Sequence, residues 1–333
     1  MPAAGRPAPQ WSGAGKAHHL RRKAEFVARG EDPLTESALH RTLQPDILLS
    51  SMRHLICFLS SLLLAASAAA AEPGWQPLFN GRDLSGWDTF VGKPDKSWDV
   101  PGLKRDDNGN YPEAIGINRD PLKVFTVETV DGQPAVHISG QGFGTMTTTN
   151  SFANFHLRLQ FKWGEKRWGR RANTVRDSGL LYFGSGDLGA VDGSWPRSIE
   201  FQIQEHDCGD LYTVGTRISV RAMKPTNLWI YDPKGEPTVF ASRRPAPGRC
   251  VKLANAEKPR GEWNTLELVC LGGDSIHIVN GTVVMRLSEA RTLDGAPLTS
   301  GNISLQTEGA EVFYRQVEIQ PITEVPKEFK PEN

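Results

Sequence analysis

Short runs of alternating apolar and polar residues, each broken by Gly, Asp, Asn or Pro, recur through most of this chain and dictate a β fold. FHLRLQFKW at 155–163, SGLLYFG at 178–184 and SIEFQIQ at 198–204 are examples, joined by longer stretches at 123–140, 263–287 and 301–320. Successive side chains of a strand point to opposite faces, so period-two alternation marks a strand with one face buried. The pattern recurs too often for a parallel α/β fold. Asp131-Gly132, Gly272-Gly273-Asp274, Asn280-Gly281 and Glu308-Gly309 fall between the runs, where tight turns favour residues that accept positive φ. With no long helical period and no internal repeat in this stretch, the expectation is an all-β domain over residues 72–320, a sandwich of two antiparallel sheets, followed by a polar, solvated tail at 321–333.

The segment at 52–71, MRHLICFLSSLLLAASAAAA, has a basic start, a short apolar stretch and small residues ending at Ala71. This is the layout of a secretory signal peptide, with cleavage expected before Glu72. Residues 1–51 are then a mis-started or disordered extension, with Met52 as the natural start. The expected location is periplasmic or extracellular, with no stable membrane span in the mature protein. From Glu72 onward there are 30 basic and 33 acidic side chains, a balance that argues against a nucleic-acid partner and leaves neutral sugars open. Three cysteines remain, Cys208, Cys250 and Cys270, and of these Cys250 and Cys270 are the candidate disulfide pair, with buried free thiols as the alternative.

The chemistry concentrates in Ser198-Ile-Glu-Phe-Gln-Ile-Gln-Glu-His-Asp207. In a strand, Glu200, Gln202 and Gln204 share one face and Ile199, Phe201 and Ile203 the other, so three long polar side chains stand above an apolar underside. That suits the floor of a polar groove, with Glu205, His206 and Asp207 at its rim or in the next loop. Asp177 opens an apolar strand and meets Glu200 if the two strands are neighbours. Eight of the nine tryptophans lie between Trp75 and Trp263. Most suit a sandwich core, whereas Trp168 and Trp195 sit in polar, loop-like contexts where an aromatic platform can meet a sugar face.

GWQPLFNGRDLSGWDTF at 74–90, DSGLLYF at 177–183, SIEFQIQEHD at 198–207, GEWNTLELVCLGGDSIHIVNG at 261–281 and GNISLQTEGAEVFYRQVEI at 301–319 together resemble the 3-keto-disaccharide hydrolase domain family. The resemblance implies a concanavalin-A-like jelly roll that cleaves glycosides already oxidised at C3. The family's Asn-Ser-Gly strand entry is matched by Asp177-Ser178-Gly179, its Glu-x-Gln strand by Glu200-Phe201-Gln202, and its Phe-Arg-Asn-Ile ending by Tyr314-Arg315-Gln316-Val317. Asp in place of Asn adds a carboxylate.

A 3-keto group acidifies the C2 hydrogen, so a base can remove it and the aglycone can leave C1 by elimination, with water adding back afterwards. Glu200 is the first candidate for the base and His206 the second. Asp177, Trp195, Gln202, Gln204 and Arg315 are candidate substrate contacts, with Gln202, Arg315 or a divalent cation holding the ketone oxygen. Glu205 and Asp207 are the candidate ligands for that cation, be it calcium, manganese or zinc, although their spacing matches no closed metal motif. Two other functions compete. One is a two-carboxylate glycoside hydrolase using Glu200 and Glu205, which requires a bulge to turn both to one face; the other is a non-catalytic carbohydrate-binding module. The chain has no GxSxG, GxxxxGK[ST] or HExxH motif.

Overall fold

The computed structural model describes residues 74–331; the expected signal peptide, its cleavage point and the preceding extension lie outside the described residues. In chain order the strands are β1 (Gln76–Pro77), β2 (Trp87–Val91), β3 (Gly116–Ile117), β4 (Phe125–Val130), β5 (Gln133–Ile138) and β6 (Phe143–Thr148). Next come β7 (Phe155–Arg167), β8 (Asp177–Ser185), β9 (Arg197–Gln204), β10 (Leu211–Val214), β11 (Thr216–Met223), β12 (Ile230–Tyr231) and β13 (Glu236–Ala241). The last are β14 (Arg249–Cys250), β15 (Asn264–Leu271), β16 (Asp274–Val279), β17 (Thr282–Thr292), β18 (Asn302–Glu308) and β19 (Ala310–Pro321).

They form two antiparallel sheets packed as a jelly-roll-like sandwich. One has eight strands in the order β14-β10-β9-β8-β18-β6-β2-β3. The other has eleven, ordered β12-β11-β17-β16-β15-β7-β19-β5-β4, with β1 added to β19 and β13 to β11. The turns follow the sequence closely. Asp131 and Gly132 (φ 50° and 75°) join β4 to β5, and Asn280 and Gly281 (φ 49° and 79°) join β16 to β17, the consecutive positive φ values that a tight hairpin demands. Among the described residues, no helix is long and apolar enough to cross a membrane.

The core lies between the sheets. Leu180, Tyr182, Ile199, Phe201, Ile203, Ile303 and Leu305 of the eight-stranded sheet meet Leu157, Leu159, Phe161, Leu266, Leu268, Val312 and Tyr314 of the other. Each aliphatic or Phe side chain buried in this way contributes roughly 1.5–3 kcal/mol. The C-terminal tail is less free than its composition implies. Phe329 is buried against Val269, Ile276 and Ile278, and its carbonyl accepts a 2.6 Å hydrogen bond from Arg286, so an isolated aromatic anchors an otherwise polar stretch.

Cys208, Cys250 and Cys270 are all free and buried. Cys250, on β14 of the eight-stranded sheet, and Cys270, on β15 of the other, do not pair. Burial pushes the Cys250 thiol up to about 12 and moves Cys208 and Cys270 in the same direction.

A polar chain crosses the core at His277 on β16, which is fully buried and stacked on Phe201 with ring centroids 4.1 Å apart. Its Nδ1 lies 3.2 Å from the carbonyl of Gly209 and its Nε2 lies 3.0 Å from the Tyr182 hydroxyl, itself 2.8 Å from Ser275 Oγ. Only a neutral ring satisfies these contacts in full, with Nδ1–H donating to Gly209 and Nε2 accepting from Tyr182. Burial accordingly pulls the His277 pKa down to about 3. Because this value lies below that of the unfolded chain, His277 stabilises the fold above about pH 6.5, and the contribution drains away as pH falls through 3, by roughly 5 kcal/mol in all. The urea midpoint of the wild type should therefore fall between pH 7 and pH 4 more steeply than that of His277→Gln; equal slopes would refute the assignment.

Candidate functional site

The alternation of β8, β9 and β18 that fills the core with one set of side chains turns the other set outward. In the register of β8 against β9, Asp177 faces Gln204, Gly179 faces Gln202 and Leu181 faces Glu200. On the far side of β8, Ser304 of β18 stands beside Leu181, and the next outward residues of β18, Gln306 and Glu308, face Thr145 and Phe143 of β6. Four strands thus present a continuous row of polar side chains centred on a glycine.

Gly179 has ordinary backbone angles, and what it supplies is room. A Cβ at this position would overlap both Gln306 Oε1 and Glu200 Oε1. The Glu200 carboxyl lies over the glycine, is only 6% exposed, and shares a hydrogen bond with the Gln306 side chain. Burial raises its pKa to about 8 and the nearby Glu308 carboxylate adds to the rise, while the Gln306 bond and the Arg171 charge oppose it. Glu308 is itself raised by burial, against the pull of Arg171 and Arg170.

Two arginines from the loop between β7 and β8 supply positive charge. Arg171 contacts Asp177 and lies 3.0 Å from Glu308, and Arg170 is 3.4 Å from Glu308. Gln204 donates a 2.8 Å hydrogen bond to the other side of the cluster, at Asp177 Oδ2. The Asp177 carboxylate is therefore matched by an arginine. Arg170 also lies over the Phe143 ring at 4.4 Å, and Phe143 meets Trp195 edge-on at 6.3 Å, giving the cluster an aromatic border.

Five buried side-chain polar atoms among the described residues have no hydrogen-bond partner, and four belong to this cluster: Asp177 Oδ1, Gln202 Oε1, Gln306 Oε1 and Arg171 Nε. The fifth, His156 Nδ1, is on the eleven-stranded sheet. Buried polar groups are ordinarily paired, at a cost of about 1–3 kcal/mol each when they are not, so the concentration of unpaired atoms here marks a place built for a polar ligand.

Of the residues expected from sequence, Asp177, Glu200, Gln202 and Gln204 converge, with Trp195 at the border. The others do not. His206 is exposed in a turn at φ 75°; its backbone N–H donates to Glu257 Oε2 at 2.7 Å and its carbonyl accepts from Lys252 at 2.6 Å, so it serves the loop. Glu205 is held 2.9 Å from Arg176 Nη1 and also accepts the Arg176 backbone N–H, and Asp207 is 2.9 Å from Arg249. With each carboxylate committed to a separate arginine, Glu205 and Asp207 do not fit a divalent cation, and no group of three or more metal-ligating side chains converges among the described residues. Nor does β9 carry a bulge between Glu200 and Gln204, so Glu205 is not turned toward Glu200 and the two-carboxylate arrangement is absent. Arg315 lies on β19 of the opposite sheet. Tyr314 points into the core, so Arg315 points out the far side, where it donates to Gln160 at 2.8 Å and covers Trp263 at 3.9 Å. It has no access to Glu200.

Four residues of the cluster escaped the sequence reading. Gln306 and Glu308 were visible in the alternation of Ile303-Ser-Leu-Gln-Thr-Glu308, the same pattern that exposed Glu200. Arg170 and Arg171 end a three-residue 3-10 turn, Gly169–Arg171, too short for a periodicity that would assign them a face.

Among solved structures, the chain is similar to a Parabacteroides distasonis protein called a putative glycosyl hydrolase. Identity is 19%, coverage is 75% of this chain and 94% of that one, and the TM-score is 0.42. A second such protein from the same organism has 16% identity, covers 75% and 84%, and gives a TM-score of 0.38. The carbohydrate-binding module CBM66 from Bacillus subtilis has 11% identity, covers 59% and 91%, and gives 0.34. At these TM-scores the likenesses carry no functional argument. No curated protein matches the chain. Residues 74–320 match the 3-keto-alpha-glucoside-1,2-lyase-like domain, and the chain belongs to that family.

The raised pKa of Glu200 has a consequence for stability that is independent of turnover. A carboxyl whose folded pKa exceeds its unfolded value favours the fold below about pH 4.5 and loses that contribution as pH rises through about 8. Glu200→Gln should therefore gain stability relative to wild type on going from pH 5 to pH 9, by up to about 4 kcal/mol in urea denaturation. A pH-independent difference would mean that Glu200 titrates normally.

Proposed function

We propose that this protein cleaves 3-keto-glycosides by elimination, with Glu200 as the proton-transferring group, and that it acts outside the cytoplasm. The observation that carries this reading is the buried Glu200 carboxyl, of pKa about 8, standing beside unpartnered acceptor oxygens on Asp177, Gln202 and Gln306. A polyol brings hydroxyl donors that suit those acceptors. A phosphate or carboxylate ligand brings none. Family membership supports the same substrate class.

The raised pKa suits a carbon acid. A C–H bond next to a ketone yields to a stronger base than an ordinary carboxylate, and a base works best when its pKa lies near the working pH. Glu200 takes the C2 proton, and the C–H electron pair forms an enolate with the C3 carbonyl. Collapse of the enolate makes the C1–C2 double bond as the C1–O bond breaks, and the departing oxygen receives a proton, which the Glu200 carboxyl is now able to give. Water then adds at C1 and a proton returns to C2, so the overall change is hydrolysis.

The purified protein should consume a 3-keto-glucoside and leave its unoxidised parent intact. With Glu200 as base, kcat/KM should rise about tenfold per pH unit and level off above about pH 8. Activity that falls above pH 8 would reverse the role of Glu200 from base to acid. Cleavage of the parent at an equal rate would remove the elimination mechanism, and binding of the keto compound without turnover would make the protein a binding module.

A further inference from the structure

Elimination through an enolate needs a donor at the C3 oxygen, and the role cannot fall to Arg315, which is on the opposite sheet. The cluster around Gly179 is rich in acceptors. Of its four unpartnered buried atoms, Asp177 Oδ1, Gln202 Oε1 and Gln306 Oε1 are oxygens, and Arg171 Nε alone carries a hydrogen to give. Building on the function proposed above, we infer that Arg171 binds the C3 carbonyl oxygen of the substrate through Nε–H and carries the negative charge that forms there.

Three features hold the guanidinium in place for that task. Its Nη2 is shared between Asp177 and Glu308, which fix the plane of the group from two strands. Its stem runs against Gly309, at φ 81°, where a Cβ would come within 2.7 Å of Arg171 Cγ; the glycine both makes the turn and leaves the channel for the side chain. Its charge acts on Glu200, which places cation and base within one electrostatic neighbourhood. Arg170 shares only the Glu308 contact, at 3.4 Å. Its side chain is 67% exposed, and it rests on Phe143 at the border.

In the step itself, the C2 proton passes to Glu200, the C–H pair becomes the C2–C3 π bond, and the former carbonyl π pair moves onto oxygen against Arg171 Nε–H. No proton leaves Arg171, whose guanidinium only donates its hydrogen bond. A donor fixed in advance at a developing oxyanion stabilises the transition state without reorganisation, and the loss of one such donor costs about 100-fold to 1000-fold in turnover.

The test uses R171K, which keeps a positive charge for Asp177 and Glu308 but removes the fork, together with Glu200→Gln as a non-reacting host for the keto compound. Turnover of the 3-keto-glucoside by R171K should fall about 100-fold, with a much smaller change in KM. In E200Q, the isotope-edited infrared stretch of a 13C-labelled C3 carbonyl should move to lower wavenumber on binding, and the E200Q/R171K protein should abolish that shift. A buried arginine Nε–H resonance of E200Q should also move downfield with the keto compound and stay put with the parent glycoside, a readout that needs no Arg171 variant to fold. Turnover by R171K within about threefold of wild type, or an unmoved Nε–H resonance in a saturated complex, overturns the assignment while the elimination reading stands. Failure of the wild type to bind or turn over the keto compound defeats the proposed function, and the Arg171 assignment falls with it.

Discussion

The stack of Phe201 on His277 across the sandwich sets the frame for everything above it. Phe201 is the underside of β9, so its seat in the core decides which way Glu200 and Gln202 point. A slip of one residue would turn both polar side chains into the core and bring Phe201 out to water, an exchange no globular protein of this size could sustain. His277 reinforces the constraint because its two nitrogens are satisfied only at this depth, one by Gly209 and one by Tyr182. The register of β8 and β9 is therefore fixed from below, by apolar contact and one neutral imidazole.

Above that frame the cluster is held under electrostatic tension. Asp177, Glu200 and Glu308 crowd onto adjoining strands, and Arg171 and Arg170 counter only part of their charge. Glu200 is left without a cation in contact and resolves the conflict by holding its proton. A site that keeps one carboxyl neutral between two salt-bridged neighbours separates proton storage from charge balance, the division of labour that the proposed elimination calls for.

Much of this was legible in the sequence, and for a definite reason. Alternation reports which face of a strand is wet, so the sandwich, its hairpins and the outward Glu200-x-Gln202-x-Gln204 row could be read directly. The same rule applied to Ser304-x-Gln306-x-Glu308 would have extended the site by a strand. Alternation says nothing about which strands are neighbours or where a loop side chain lands. Arg315 looked available until the sheets were assigned, and Glu205, His206 and Asp207 looked like rim residues although the loop commits Glu205 and Asp207 to arginines and leaves His206 exposed. The two thiols fell to the same blindness, since 19 intervening residues do not reveal that Cys250 and Cys270 stay apart as free, buried thiols.

The site is also tied to the far leaf of the sandwich. Tyr314, buried on β19, lies 2.7 Å from Ser178 Oγ, and Ser178 donates at 2.8 Å to the backbone carbonyl of Gln306. The Tyr314 hydroxyl thus bolts the floor beneath Gly179 to the opposite sheet. Any sliding of one leaf over the other is transmitted to Gln306 and, through it, to the carboxyl of Glu200. The precision of the site is then the precision of the whole sandwich, and a loosened core would displace the Glu200 carboxyl before any strand came apart.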